Sequence, residues 1–247
     1  MDALAEVFEE RLGEIETYLD FLASLEREAG SGAGPRVGAS PITTTQQRIL
    51  YASVFLQLYN LVEATAIWCA NAVCRAVVSP RQLLPGDLSS DLRREWVRNT
   101  ARTHKNLPQP RRLDAAVAMC DILVGGNPIV RLEIEKGHSG NWDDHAIEDL
   151  AGRIGLELAI SESAHSGVRR RIRDDKGSLE LVKDLRNRLA HGDLSFAECS
   201  DMTVSDLADL KERIASYLRE VVKAFESYIS GHQFLVPPKR PAARANS

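Results

Sequence analysis

Apolar side chains recur three and four positions apart along most of this chain, the period of a helix with one buried face. Leu4, Phe8, Leu12, Ile15, Leu19, Leu22 and Leu25 form the first stripe and predict a long helix over residues 3–28. The run Gly30 to Ser40 (GSGAGPRVGAS) stops it, and its glycine, serine and proline predict a flexible linker over 30–44. The second periodic segment, from about Thr45 to Val78, is apolar around most of its circumference, which predicts a central helix ended by Ser79-Pro80. Its most apolar part, Ile49 to Val78, carries Gln57, Asn60, Glu63 and Asn71. Four polar groups in one span are costly in lipid, so it reads as a buried soluble helix, with no membrane partner.

Shorter elements follow. Ser89 or Ser90 caps a third helix containing Leu92, Trp96 and Val97, and a fourth covers about Arg112 to Val124 before Gly125-Gly126-Asn127-Pro128. Between Ile129 and Glu135 the pattern alternates, with Val130, Leu132 and Ile134 on one side, which suggests a short strand without an evident partner. Residues 125–145 therefore read as an irregular insert. A helix bearing Ala146, Ile147, Leu150, Ala151 and Ile154 stops at Gly155, another starts at Ser178, and the last begins near Thr203, where Thr203 and Asp206 form a capping pair. It carries Leu207 through Ile229, and residues 236–247 read as a disordered tail. The fold class is all-α, a helical bundle with a small irregular or short β insert, in one domain over 1–235.

Composition changes this picture little. Apolar residues make up 44% and charged residues 27%, and the net charge of −4 argues against general attachment to nucleic acid while allowing a local basic patch. Cys69, Cys74, Cys120 and Cys199 form no CxxC pair and read as reduced thiols packed in helices. With no signal peptide recognised, the expected location is cytoplasmic.

The candidate chemistry lies in Asp184-Leu185-Arg186-Asn187-Arg188-Leu189-Ala190-His191-Gly192. Arginine holds phosphate through forked hydrogen bonds, and histidine moves protons near neutral pH. Five helical positions separate their side chains by about 140° around the axis. Convergence then needs Arg186 to swing toward the helix end and the last turn, at His191, to fray before Gly192. The bland reading is a histidine favoured by the helix dipole and an ordinary surface arginine. In the central helix, Asn60 and Glu63 share a face, and an ionised glutamate there calls for a partner. Arg186 is the best candidate; a structural bridge or a Glu63 that reaches solvent stay open.

These features resemble the MAE-type branch of the HEPN-like nucleases over about residues 5–235. The resemblance rests on Ala52 to Leu56, Leu58-Tyr59-Asn60-Leu61-Val62-Glu63, Ser139-Gly140-Asn141 with Asp143, Arg186 to Gly192, and Ser195-Phe196-Ala197-Glu198. It implies a HEPN-type helical bundle, usually dimeric, that cuts RNA without a metal or cofactor, in bacterial toxin–antitoxin or anti-phage systems with a possible antitoxin or defence partner. By resemblance the catalytic residues are Arg186 and His191, with Asn187 beside them; Glu63 and Asn60 are assigned here as supports. The implied reaction is attack by the RNA 2′-hydroxyl, with homodimer formation supplying two histidines. Arg188, Arg169, Arg170 and Arg171 are candidates for the RNA backbone, as is a cluster including Arg93, Arg94, Arg98, Arg102, His104, Lys105, Arg111 and Arg112. The main alternative is a non-catalytic HEPN module that binds nucleotide or protein. His138, Asp143, Asp144 and His145 lie close in sequence but lack a recognised metal-ligand spacing, so no metal is expected.

Overall fold

The computed structural model describes residues 4–30, 34–37, 39–78, 82–103, 105–135, 141–199 and 201–241. Ser79-Pro80, His104, His138, Ser139, Gly140, part of the predicted linker and the tail from 242 lie outside them. Among the described residues the order is α1 (Leu4–Gly30), β1 (Arg36–Val37), β2 (Ser40–Pro41), α2 (Thr44–Val78), α3 (Ser90–Thr100), α4 (Gln109–Val124), α5 (Asp144–Arg153), α6 (Glu162–Arg169), α7 (Ser178–His191) and α8 (Val204–Ser230). Among the described residues the fold is all-α with one small β element. Two compact units divide it, one of residues 1–65, 140–144 and 160–221, the other of 66–139, 145–159 and 222–247.

In the first unit the predicted stripe of α1 is buried at Phe8, Leu12, Ile15, Leu19, Leu22 and Leu25. Polar ties align α1 with its neighbours. Arg219 of α8 donates to both Glu9 carboxylate oxygens at 2.7 and 3.1 Å, Lys211 reaches Glu16 at 3.0 Å, and the Tyr18 hydroxyl donates to the Leu50 carbonyl at 3.0 Å. The capping pair opening α8 is reciprocal: Thr203 N–H donates to Asp206 Oδ2 at 2.9 Å and Asp206 N–H to Thr203 Oγ1 at 3.2 Å. Those Thr203 donors hold the Asp206 carboxyl below its usual range.

The predicted linker carries the only strand pair among the described residues, Arg36–Val37 against Ser40–Pro41, braced by Arg36 Nη2 donating to the Ala39 carbonyl at 2.8 Å. α6 is absent from the sequence-based expectation. It is eight residues long and buries only Ala164 and Val168, too few to register as a period, and its start rests on Ser161 Oγ accepting from Ala164 N–H at 3.3 Å.

In the second unit, α2 contributes Ala66, Cys69, Ala70, Val73 and Val77 to the core. By length and composition alone α2 also suffices to cross a membrane, a test that buried core helices pass equally. Burial pushes the Cys69 thiol far up, so it stays protonated, and all four cysteines are free. The short strand expected over Ile129–Glu135 does not form. Ile129, Leu132 and Ile134 are buried but Val130 is 79% exposed, so burial is not strictly alternate, and no strand among the described residues pairs with the segment. The tail expectation is corrected over 236–241: Val236 N–H donates to the Asp87 carbonyl at 2.9 Å and Lys239 pairs with the Asp87 carboxylate at 3.2 Å.

The costliest polar group here is Glu95, whose side chain is 2% exposed. Arg153 clamps it through Nη2 at 2.7 Å and Nε at 3.2 Å, and Nη2 also donates to the Glu135 carbonyl at 2.7 Å. Partial burial works against the Arg153 charge, but its bonds to Glu95 outweigh that and raise the guanidinium's pKa.

Removing one partner strands the other charge, so Arg153→Ala should cost about 3–5 kcal/mol in urea unfolding, and Glu95→Leu combined with Arg153→Met should recover most of it. The Asp206 cap has an acid signature. Its lowered folded pKa adds stability that is present above the ordinary aspartate value and lost as pH falls through the folded value. Asp206→Asn should therefore flatten the stability profile below about pH 4, read by thermal melts.

Candidate active site

α7 forms because Leu179, Leu181, Val182, Leu185 and Leu189 make one buried face. Its entry is tight: a Cβ on Gly177 would lie 2.7 Å from the Val168 carbonyl oxygen. Its exit is closed by Gly192 at φ +78°, the left-handed region that glycine adopts without strain, with its N–H facing the Arg188 and Leu189 carbonyls. Asp193 N–H adds a 2.9 Å bond to the Arg188 carbonyl. The helix thus remains regular through His191. The last turn is helical at His191 and not unwound, and five positions of an ideal helix amount to about 140° around its axis.

Arg186 lies against α2. Its guanidinium carbon sits 3.7 Å from the centroid of the Tyr59 ring, and Nη2 lies 4.0 Å from Glu63 Oε2. Tyr59 and Glu63 are one turn apart on α2, so ring and carboxylate present a single face. Tyr59 is 1% exposed. Burial is the main cause that pushes its phenol above the ordinary value, and its oxygen accepts the Trp142 N–H at 3.2 Å. The 4.0 Å separation exceeds that of a charge-assisted hydrogen bond, so the ring face supplies the close contact and Glu63 a longer attraction.

Residues 141–144 run alongside and are tied down in four places. Asn187 Nδ2 donates to Asn141 Oδ1 at 3.0 Å, Trp142 meets Tyr59, Asp143 pairs with Lys183, and Asp144 accepts from Arg169 Nε at 2.6 Å. The predicted residues therefore separate. Arg186, Asn187 and Glu63 come together with this segment. His191 is exposed on the last turn, with no side-chain hydrogen bond among the described residues, and Asn60, three residues before Glu63 on α2, is exposed. Of the backbone candidates, Arg188 lies 3.9 Å from Asp184, Arg169 is the anchor of Asp144, Arg171 pairs with Asp175 at 3.1 Å, and Arg170 is exposed. Among the described residues no cluster of three or more histidine, cysteine or acidic side chains is placed to hold a metal ion; His138 is not among them.

Tyr59, Asn141 and Trp142 are the contributors that sequence reasoning passed over as functional. The available signal was helical spacing: Tyr59 lies four residues before Glu63 on α2 and Asn60 three, so both neighbour it on the helix surface.

A family model described as MAE_28990-like HEPN matches residues 1–234. No curated protein and no solved structure matches the chain.

The Tyr59–Arg186 stack is measurable. A double-mutant cycle of Tyr59→Leu with Arg186→Gln, followed by urea unfolding, should give a coupling of about 0.5–2 kcal/mol. With Tyr59→Phe in its place, the ring remains and most Arg186 stacking should persist.

Proposed function

The chain belongs to the MAE_28990-like HEPN family, and from that premise we propose that it is a metal-independent endoribonuclease. The observation that carries the reading is the placement of Arg186: a permanent cation, 22% exposed, steadied on an aromatic face, on the same helix as an exposed histidine. An ordinary surface arginine has no such seat. A carboxylate at 4.0 Å helps to orient the guanidinium.

In the proposed reaction the RNA 2′-oxygen attacks the adjacent phosphorus and the bond to the 5′-oxygen breaks. One His191 takes the 2′-hydroxyl proton, and His191 of a second copy gives a proton to the departing 5′-oxygen. Arg186 stabilises the negative charge gathered on the phosphorane oxygens, and Asn187, held by Asn141, positions the phosphate or the imidazole. The products are a 2′,3′-cyclic phosphate and a 5′-hydroxyl, and DNA, lacking the nucleophile, is not cut. A homodimer suits the regular end of α7, where one chain holds its two key groups about 140° apart. The family resemblance suggests a bacterial toxin–antitoxin or anti-phage setting in the cytoplasm, with an antitoxin or defence protein as partner.

Purified protein incubated with total RNA and tRNA, with end-group analysis, tests this. Cleavage should survive excess EDTA and fall at least about 100-fold in His191→Ala and in Arg186→Ala. Unchanged rates in folded variants would sink the assignment. Nucleotide or protein binding without any cleavage by the native chain would favour the non-catalytic module.

A further inference from the structure

The basic run from Arg93 to Arg112 divides into cations that hold the fold and cations that line a cleft. Arg93 donates to the carbonyls of Pro85, Gly86 and Leu88 at 3.0, 2.9 and 2.8 Å. Arg94 pairs with Asp91 at 3.0 Å, Arg98 lies 3.5 Å from Glu95, and Arg112 Nε donates to the Leu107 carbonyl at 2.6 Å. Arg102 and Lys105 instead stand on the wall of a cleft of about 620 Å³, where Arg131 joins them from the extended segment. Arg102 sits at φ +52°, and its carbonyl accepts Lys105 N–H at 3.0 Å.

The rest of the lining decides what fits. Pro128 and Ile129 give an apolar wall, Asn99 and Asn127 supply amides that both donate and accept, and Glu133 is the one carboxylate. Three cations against Glu133 leave a net charge of +2. A second hollow of about 430 Å³ shares Asn99, Lys105 and Glu133 with the first. A purely apolar ligand would leave the cations unmatched, and a bare anion would leave the apolar wall and amides unused. A nucleotide uses all three: phosphate on the cations, base on the apolar wall, base edge on the amides.

We propose that this cleft is an RNA-contact site, separate from the Arg186 helix, that takes one nucleotide unit of a single strand. The choice of an RNA chain over a free nucleotide rests on the ribonuclease reading; the preference for a nucleotide rests on the lining alone. Glu133 is the internal opponent. It accepts from Arg131 and stands beside Lys105, so it tempers the field that a phosphate meets.

The test is fluorescence anisotropy of a labelled single-stranded RNA 12-mer on the full chain carrying His191→Ala, with UMP, AMP and pyrophosphate as separate competitors. Arg102→Glu with Lys105→Glu should weaken binding about tenfold or more and reduce the slope of log K against log salt by about 1.4, as for two lost phosphate contacts on a single strand. Glu133→Gln keeps the hydrogen-bonding shape and removes the opposing charge, so it should tighten binding by about two- to fivefold, a gain that misfolding does not imitate. Unchanged binding in both variants would overturn the proposal, as would a mononucleotide or pyrophosphate that binds as tightly as the 12-mer. Binding through these residues by a native chain that never cuts RNA removes the ribonuclease reading and leaves this site standing. Normal cleavage with an unaltered KM in the double reversal removes this site and leaves the ribonuclease.

Discussion

The arrangement around α7 depends on how one guanidinium is held. An arginine close to protein on most sides needs a counterpart for its charge. Here the counterpart is the face of Tyr59, with Glu63 a longer 4.0 Å away. A ring face attracts the cation through its quadrupole. The other contacts follow. Tyr59 is set by burial in α2 and by the Trp142 N–H, and the segment bearing Trp142 is set in turn by Lys183, Asn187 and Arg169.

That chain of ties explains which parts were legible beforehand. The helices with strong periods, α1, α2, α7 and α8, were readable because their buried faces repeat over several turns, and the Thr203–Asp206 cap because its chemistry is local. The Glu63–Arg186 proximity was inferred from the cost of a charge in an apolar helix, an argument that needs no coordinates. α6 was invisible since two buried residues make no period. The alternation at Ile129–Glu135 misled because period two describes a strand only when another strand receives its hydrogen bonds. The role of Tyr59 was missed because aromatic residues in a central helix are usually read as core, and Tyr59 is core as well as the seat of Arg186.

Charge runs were the least reliable signal. Arginines within one run diverge in use: Arg93 satisfies three carbonyls while Arg94 pairs with Asp91, and Arg169 holds the buried Asp144 while Arg171 pairs with the exposed Asp175. Sequence counts cations, whereas recognition depends on which of them the fold leaves unspent. A chain of net charge −4 with most of its arginines internally occupied attracts polyanions only at the few places where a cationic wall survives.

Gly192 carries a consequence for substitution. Its φ of +78° is one that a residue with a Cβ adopts only with strain, so replacing it would loosen the turn beside His191 while the Leu185 and Leu189 face of α7 stays buried.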